Sequence, residues 1–274
     1  MRNLFVTGIP RSGTTLVAAL IDSLDDAVCL SEPEWQDAWP REMTDPAHYA
    51  TRLCSDFDRV RDVLYGGGSV TDRRQHDGAA ISDYFPRVAG SHTQVATPVA
   101  FHRDGLSGGF LLGMKQNAHF TCILDRLVER EDFAVLAIIR NPLATLSSWR
   151  SLDLPISQGR LPAAERFWPQ VAEVARTEQD ILLRQVRIYG LFCERYLALR
   201  DKLTILRHED IVANLGLISD LCRRTFVREV KLRPSNSARL VDTAFRQQIC
   251  DYIRVHCPAV LAFYPELIED DKTT

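Results

Sequence analysis

The chain lacks any CxxC pair, although it contains seven cysteines among its 274 residues. An odd, unpatterned set is typical of reduced, buried thiols in a cytosolic protein and does not predict a disulfide framework. Apolar stretches long enough to cross a membrane are also missing, because the longest runs, such as residues 133–139, have only the length of a strand. The first residues contain neither a basic leader nor a cleavage site. We therefore expect a soluble, cytoplasmic protein without a membrane anchor.

An excess of positive charge is missing as well. The 33 basic and 36 acidic residues give a net charge of −3 at pH 7. This balance argues against nucleic acids and anionic membrane surfaces as partners, but it allows a small basic pocket. The length and the hydrophobic share of 46% suit one large α/β domain over residues 1–274.

Short apolar runs alternate with helical patterns along much of the chain. We predict strands at residues 4–7, 27–30, 110–114, 133–139 and 203–206. We predict helices at residues 13–24, 120–128, from Pro142 onward, around 182–196 and at 238–255. This alternation is typical of βαβ units. The predicted fold is a P-loop-like three-layer α/β sandwich, in which helices flank a mostly parallel sheet of about five strands.

Directly after the first predicted strand the chain reads GIPRSGTT, at residues 8–15. A glycine-rich turn between a strand and a helix directs backbone N–H groups and the helix dipole at one point, which suits a phosphate or a sulfate. A turn that merely needs glycine would not explain the hydroxyls of Ser12, Thr14 and Thr15 together with a cation at Arg11. The loop therefore predicts an anion site.

This loop departs from the nucleotide P-loop GxxxxGK[ST] at one position. Gly8 and Gly13 fit that pattern, but Thr14 stands where the lysine would be, and the cation is Arg11 inside the loop. P-loop ATP enzymes also use an acidic residue to help hold Mg²⁺, whereas the fourth predicted strand is followed by Arg140. We expect a metal-free site for a ligand that carries a phosphoryl or sulfuryl group.

The sequence GIPRSGTTL, at residues 8–16, resembles the 5′-phosphosulfate loop of sulfotransferases that use 3′-phosphoadenosine-5′-phosphosulfate (PAPS). It is most similar to the loop of tyrosylprotein sulfotransferases, in which arginine replaces the lysine of the cytosolic enzymes. The resemblance covers residues 4–35 and 110–149 well and residues 203–212 weakly. It implies that the 5′-phosphosulfate is bound by Arg11, Ser12, Gly13, Thr14 and Thr15.

A second motif, at residues 137–149, adds a site for the 3′-phosphate. In the sulfotransferase family an arginine at a strand end and a serine eight residues later bind this group, and Arg140 and Ser148 match that spacing. A guanidinium group can also form a bidentate contact with a phosphate on general grounds. Because ATP has no 3′-phosphate, this pair favours PAPS over ATP as the donor.

Transfer of a sulfuryl group to a hydroxyl needs a base for the acceptor's proton and cations for the charge on the sulfuryl oxygens. Glu32 and Lys115 stand at the carboxyl ends of predicted strands, where open α/β sheets bind ligands. In tyrosylprotein sulfotransferases a glutamate at this spacing is the base and a lysine at this strand end contacts the sulfonate. The resemblance implies these roles for Glu32 and Lys115, and Arg11 would share the charge neutralisation. Pro33 predicts an extended conformation for Glu32.

Several assignments stay open. Cytosolic sulfotransferases use a histidine base, so His92 or His102 is the alternative base. His208 stands where the family usually has a tyrosine that can contact adenine, and residues 232–237 contain side chains that could serve the nucleotide. Residues 66–80 include a run of three glycines, at 66–68, and a polar run, at 71–78, which predict a mobile surface loop, either a tolerated insertion or a lid.

The sequence thus predicts a sulfotransferase that moves a sulfuryl group from PAPS to an acceptor hydroxyl and releases adenosine 3′,5′-diphosphate (PAP). The acceptor could be a small molecule, a natural product, a glycan or a peptide. Two alternatives remain at this stage: a P-loop kinase that acts on a small molecule, and a non-catalytic nucleotide-binding protein of the same fold.

Overall fold

The computed structural model describes residues 1–33, 35, 45–75, 78–83, 87–88, 91–92, 97–230, 232 and 242–269. The strands are β1 (Asn3–Gly8), β2 (Ala27–Ser31), β3 (Val70–Arg74), β4 (Arg87–Val88), β5 (Ser91–His92), β6 (Thr97–Phe101), β7 (Leu111–Lys115), β8 (Phe133–Ile139) and β9 (Thr204–Arg207). The helices are α1 (Thr14–Asp22), α2 (Pro46–Tyr65), α3 (Ala118–Cys122), α4 (Leu124–Leu127), α5 (Pro142–Arg150), α6 (Pro162–Phe167), α7 (Pro169–Thr177), α8 (Ile181–Ala198), α9 (His208–Ala213), α10 (Gly216–Cys222), α11 (Thr243–His256) and α12 (Glu266–Glu269). Short 3₁₀ helices cover Pro155–Gln158 and Pro258–Ala262.

Five of these strands form one sheet in the order β2-β7-β1-β8-β9, and all of their pairings are parallel. The strand before the GIPRSGTT loop, β1, therefore lies in the centre of the sheet. The bounds predicted from the sequence differ from the observed ones by at most one residue at each end. The predicted α/β class and five-stranded sheet are confirmed.

Two hydrophobic clusters cover the two faces of this sheet. Leu4 and Val6 of β1 belong to a cluster with α1 and α10, whereas Phe5 belongs to a cluster with α2, α3 and α8. The residues alternate in this way because successive side chains of a strand point to opposite faces. The ring of Phe5 lies 5.0 Å from that of Phe57 and 5.2 Å from that of Phe120. The chain forms the predicted three-layer sandwich.

The segment between β2 and β7 contains a long helix that the sequence analysis did not predict. Pro46 begins α2, and the side chain of Asp45 caps the helix by accepting a hydrogen bond from the Ala47 N–H at 2.9 Å. Proline suits this first position because its missing N–H would have no intrahelical partner there. The apolar side of α2 contributes Leu53 and Phe57 to the core under the sheet.

The same segment contains an antiparallel pair, β3 with β6, in which Val70 lies opposite Phe101. The prediction of a mobile loop is therefore wrong for residues 70–74, which form β3. Asp72 and Arg74 are each only 1% exposed. A polar run can be buried when its charges pair with one another. Such a pair is present here, because Arg74 Nε donates to Asp72 Oδ2 at 2.8 Å.

Two predicted helices differ from the observed ones. The predicted helix at residues 120–128 is divided into α3 and α4 at Ile123, whose φ of −116° and ψ of 19° are not helical. The apolar face is nevertheless buried, because the core lies next to both short helices. The final long helix, α11, begins at Thr243, whereas the prediction began at residue 238. Residues 238–241 of the prediction lie outside the described residues.

The cysteines fit the reduced, buried thiols that the sequence predicts. Six of the seven are buried, and Cys54 is half-buried. Burial raises the pKa of the Cys122 and Cys257 thiols to about 12, so both are protonated at neutral pH. In the part of the chain that the structure describes, every helix is too short or too polar to cross a lipid bilayer.

Candidate active site

The carboxyl ends of the five parallel strands meet at one edge of the sheet, where α/β proteins of this class bind ligands. This edge carries the anion loop (residues 8–15) between β1 and α1, Glu32 after β2, Lys115 at the end of β7, Arg140 after β8 and His208 after β9. The structure therefore brings the residues predicted to act in binding and catalysis to one edge.

The anion loop has the shape of an anion-binding turn. Arg11 and Gly13 have φ values of 69° and 92°, in the left-handed region that favours glycine, and they bend the chain sharply into α1. The indole N–H of Trp149 donates to the Pro10 carbonyl at 2.7 Å and holds the loop from outside. Within the described residues no side chain caps the start of α1. The first N–H groups of this helix are thus suited to an external acceptor.

Ser12 anchors the anion loop to β8. Its N–H donates to the Ile9 carbonyl at 2.9 Å and its hydroxyl donates to the Ile138 carbonyl at 2.8 Å. Gly8 is needed at the same place, because a Cβ there would lie 2.5 Å from the Ile138 carbonyl oxygen. Ser12 therefore uses both of its donors to shape the loop, and its direct contact with a ligand stays a prediction.

Arg11, Arg140 and Ser148 form one group beside the loop. Arg11 Nε donates to Ser148 Oγ at 3.2 Å, and Arg140 Nη1 donates to the Arg11 carbonyl at 3.3 Å. Arg11 Nη2 also lies 3.5 Å from Asp83 Oδ1. The two residues predicted to bind a 3′-phosphate are therefore neighbours of the loop's own cation.

The position of Arg140 is supported through its backbone. Tyr189 Oη donates to the Arg140 carbonyl at 2.5 Å, and Thr145 Oγ1 donates to the same oxygen at 3.3 Å. Burial lowers the pKa of Arg140, while the nearby Glu209 carboxylate opposes this shift. An arginine nevertheless keeps its charge in proteins, so Arg140 is a permanent cation at this edge.

Glu32 and Lys115 form a second group, on the β2 and β7 side of the loop. Lys115 Nζ donates to Glu32 Oε1 and, at 3.3 Å, to Thr15 Oγ1 at the start of α1. The Glu32 N–H donates to the Lys115 carbonyl at 2.9 Å. The Lys115 side chain is 1% exposed and that of Glu32 is 21% exposed. The predicted base and the predicted sulfonate-binding cation are thus in direct contact, and Thr15 connects them to the anion loop.

The prediction of an extended conformation for Glu32 is wrong. Its φ is 52°, which is strained for a residue other than glycine. The two contacts with Lys115 outweigh the local preference that Pro33 imposes. Burial favours the neutral carboxyl, but the charges of Lys115 and Arg73 outweigh burial and hold the pKa of Glu32 below its ordinary value. Glu32 is therefore a carboxylate at neutral pH.

His119, which the sequence analysis did not single out, belongs to the Glu32 group. It lies in α3, four residues after Lys115, and is 8% exposed. Burial lowers its pKa to about 4, although the Glu32 carboxylate opposes this shift. Among the contacts of the described residues, its Nδ1 has no hydrogen-bond partner. Its place just after a strand end is the signal by which the sequence could have identified it.

The described structure does not place either alternative histidine base beside Glu32 and Lys115. His102 is exposed, with its Nε2 4.0 Å from Asp104 Oδ2. The side chain of His92 lies outside the described residues. Of residues 232–237, only Leu232 is described.

His208 packs against the anion loop. A Cβ on Gly13 would overlap the His208 Nδ1, so glycine is required there for space as well as for its φ. Burial and the charge of Arg140 lower the pKa of His208 to about 4, and the imidazole is neutral at pH 7. A contact between His208 and adenine stays a prediction.

Comparison with known proteins finds no matching family model and no matching curated protein. Among solved structures, a sulfotransferase from Alicyclobacillus acidocaldarius has 14% identity and a TM-score of 0.45, over 96% of this chain and 95% of that chain. Sulfotransferase STF1 from Mycobacterium tuberculosis has 17% identity and a TM-score of 0.37, over 87% of this chain and 69% of that chain. Both TM-scores are below 0.5, so the assignment of a function rests on the chemistry of the site.

Proposed function

We propose that the protein is a sulfotransferase that transfers a sulfuryl group from PAPS to an acceptor hydroxyl and releases PAP. The observation that carries this proposal is the contact of both side-chain groups with one anion loop. Lys115 joins Glu32 to Thr15, and Arg140 contacts Arg11. The group of Glu32 and Lys115 offers a base and a cation. The group of Arg11, Arg140 and Ser148 offers positive charge for a second phosphate. PAPS needs both kinds of site.

The donor would be held at two ends. The N–H groups at the start of α1 suit the 5′-phosphosulfate, because the helix dipole and the unpaired donors point at the same place. Arg140 and Ser148 suit the 3′-phosphate. The carboxylate of Asp83, which now pairs with Arg11, makes a contact that an anionic ligand can replace.

Glu32 would accept the proton of the acceptor hydroxyl. Its carboxylate is ionised at neutral pH, so it is ready to act as a base. As the acceptor oxygen bonds to sulfur, the bond between sulfur and the 5′-phosphate oxygen breaks. Lys115, which already contacts Glu32 and Thr15, can offset the charge that moves onto the sulfuryl and phosphate oxygens.

Transfer is expected to need no divalent metal. A Mg²⁺ ion supplies much of the charge neutralisation in P-loop phosphoryl transfer. In the proposed sulfotransferase, the positive charge is supplied by three fixed cations, Arg11, Lys115 and Arg140. We expect transfer from PAPS to continue in excess EDTA. We also expect that ATP with Mg²⁺ does not replace PAPS as the donor. Mass spectrometry of one working acceptor measures the added group in both experiments.

The opposite result would identify the kinase alternative. Activity that requires ATP, is lost with EDTA and returns with Mg²⁺ would contradict the sulfotransferase proposal. Tight binding of PAP without transfer to any member of a broad panel of hydroxyl acceptors would favour the non-catalytic alternative instead.

A further inference from the structure

The strand that leads to Glu32, β2, is an edge strand, and carboxylates cover its outer side. The Cys29 N–H donates to Asp22 Oδ1 at 3.1 Å, and the Ser31 N–H donates to Asp72 Oδ1 at 2.8 Å. The inner side of β2 pairs with β7 in the ordinary way. An edge strand exposes a row of N–H groups that need acceptors. Here two side-chain carboxylates supply them.

Arg74 joins these two carboxylates. Its Nε donates to Asp72 Oδ2 at 2.8 Å, and its terminal nitrogens donate to the two oxygens of Asp22 at 3.0 and 3.1 Å. We call Asp22, Arg74 and Asp72 the carboxylate bridge. All three side chains are buried, and Arg103 Nη2 adds a further contact with Asp22 Oδ2 at 2.7 Å. Buried ion pairs contribute little net stability because of the cost of desolvation, so stability alone is a weak reason for such a bridge.

The residue at the end of β2 is one that needs support. Glu32 has a strained φ of 52°, and strain of this kind persists only where surrounding contacts impose it. The Ser31 N–H is held by Asp72 on the outer side of β2, and the next N–H, of Glu32, is held by the Lys115 carbonyl on the inner side. Two successive N–H groups are thus held from opposite sides at the point where the chain turns.

We propose that Asp72 is a positioning residue for the candidate base: through the Ser31 N–H, its ionised carboxylate keeps Glu32 in its strained conformation against Lys115. This inference rests on the proposed function. Asp72 acts through the end of β2 rather than by direct contact with Glu32. An ionised carboxylate accepts stronger hydrogen bonds than a neutral one, so protonation of Asp72 weakens its bonds to Ser31 and Arg74 together.

The ionisation of Asp72 is sensitive to mild acid. Burial raises its pKa to about 6, although Arg74 and the N–H groups of Ser31 and Arg73 oppose this shift, and the charge of Asp22 adds to it. The working, ionised fraction therefore falls as the pH drops through about 6. The pKa of Glu32 is below its ordinary value, so the base itself is protonated only at lower pH. An acid limb of kcat near pH 6 is the signature of Asp72.

The hydrogen bond is tested first by NMR, without a transfer assay. In the wild-type protein the amide shift of Ser31 should titrate with a midpoint near pH 6, and this titration should vanish in Asp72→Asn. Asp56→Asn is the matched control, because Asp56 is also buried and ion-paired, with Arg59 Nε 3.0 Å from its Oδ1 in α2. A Ser31 titration that persists in Asp72→Asn would overturn the inference.

The role in the reaction is tested by kcat at saturating PAPS between pH 5 and 8. Wild type should lose roughly tenfold in kcat toward pH 5, and Asp72→Asn should already show a similarly low kcat at pH 8, with the KM for PAPS unchanged. Asp56→Asn should follow wild type. The 3′-phosphate of PAPS also titrates near pH 6, at about the second pKa of a phosphate monoester, but that limb would survive in Asp72→Asn.

The outcomes separate the two proposals. A wild-type kcat in Asp72→Asn at pH 8 would overturn the positioning role while transfer itself stands. A wild-type protein whose Ser31 amide titrates but which transfers nothing from PAPS would instead contradict the proposed function, and the role of Asp72 in catalysis with it.

Discussion

Replacement of Glu32 by glutamine is expected to lower turnover by about 10²–10⁴-fold, the usual contribution of a positioned general base. Glutamine has nearly the same size as glutamate, but its amide cannot accept the proton of the acceptor hydroxyl. The anion loop and Arg140 are untouched, so the affinity for PAP should stay near the wild-type value. Turnover at saturating PAPS and calorimetric binding of PAP measure the two quantities separately.

His119→Asn is the companion variant, because the buried imidazole of His119 interacts with the Glu32 carboxylate. Loss of turnover in both variants, with the larger loss in Glu32→Gln, agrees with Glu32 as the base. Near-normal turnover in Glu32→Gln together with a large loss in His119→Asn would move the role of base to His119. The pKa of Glu32 is held below its ordinary value, so Glu32 is fully ionised at pH 7 and its own protonation should not limit turnover there.

Replacement of Arg140 by alanine is expected to weaken the binding of PAP by about 10- to 150-fold. This corresponds to about 1.5–3 kcal/mol, the range for a hydrogen bond to a charged group. The reason is that the guanidinium at the end of β8 is the permanent cation predicted to contact the 3′-phosphate. Calorimetry with PAP measures the loss, and Ser148→Ala should produce a smaller one because a hydroxyl carries no charge.

Two controls make the Arg140 result specific. Adenosine 5′-phosphosulfate lacks the 3′-phosphate, so its affinity should fall far less than that of PAP. Arg160→Ala removes an arginine that is ion-paired on the surface with Glu165, at 2.6 Å, and should leave PAP binding unchanged. Equal losses for both nucleotides in Arg140→Ala would show that Arg140 supports the anion loop through the Arg11 carbonyl rather than binding the 3′-phosphate.

The strands of the central sheet were predictable because buried parallel strands appear in a sequence as short, continuous apolar runs. The anion loop was predictable for a related reason, since glycine at positions 8 and 13 marks a turn with close backbone contacts. Once the strands were placed, their carboxyl ends also placed Glu32, Lys115 and Arg140 at one edge. These inferences need only local patterns and the geometry of a parallel sheet.

Other features depend on partners that are distant in the sequence. Asp72 and Arg74 belong to a polar run that is typical of a surface loop, and they are buried because Arg74 meets Asp22, 52 residues earlier in the chain. His119 had no motif of its own, and its proximity to Glu32 arises only when β2 and β7 pair.

The amino-acid sequence by itself determined the parallel sheet, the anion loop and the set of charged residues at the strand ends. The tertiary structure decided which of these residues touch: Lys115 pairs with Glu32, Arg11 lies beside Ser148, and Asp72 holds the end of β2. The physical reason is that backbone preferences act over a few residues, whereas buried charges are stable only next to partners that the fold brings together. The strained φ of Glu32 shows this most directly, because contacts from β7 outweigh the local preference that Pro33 imposes.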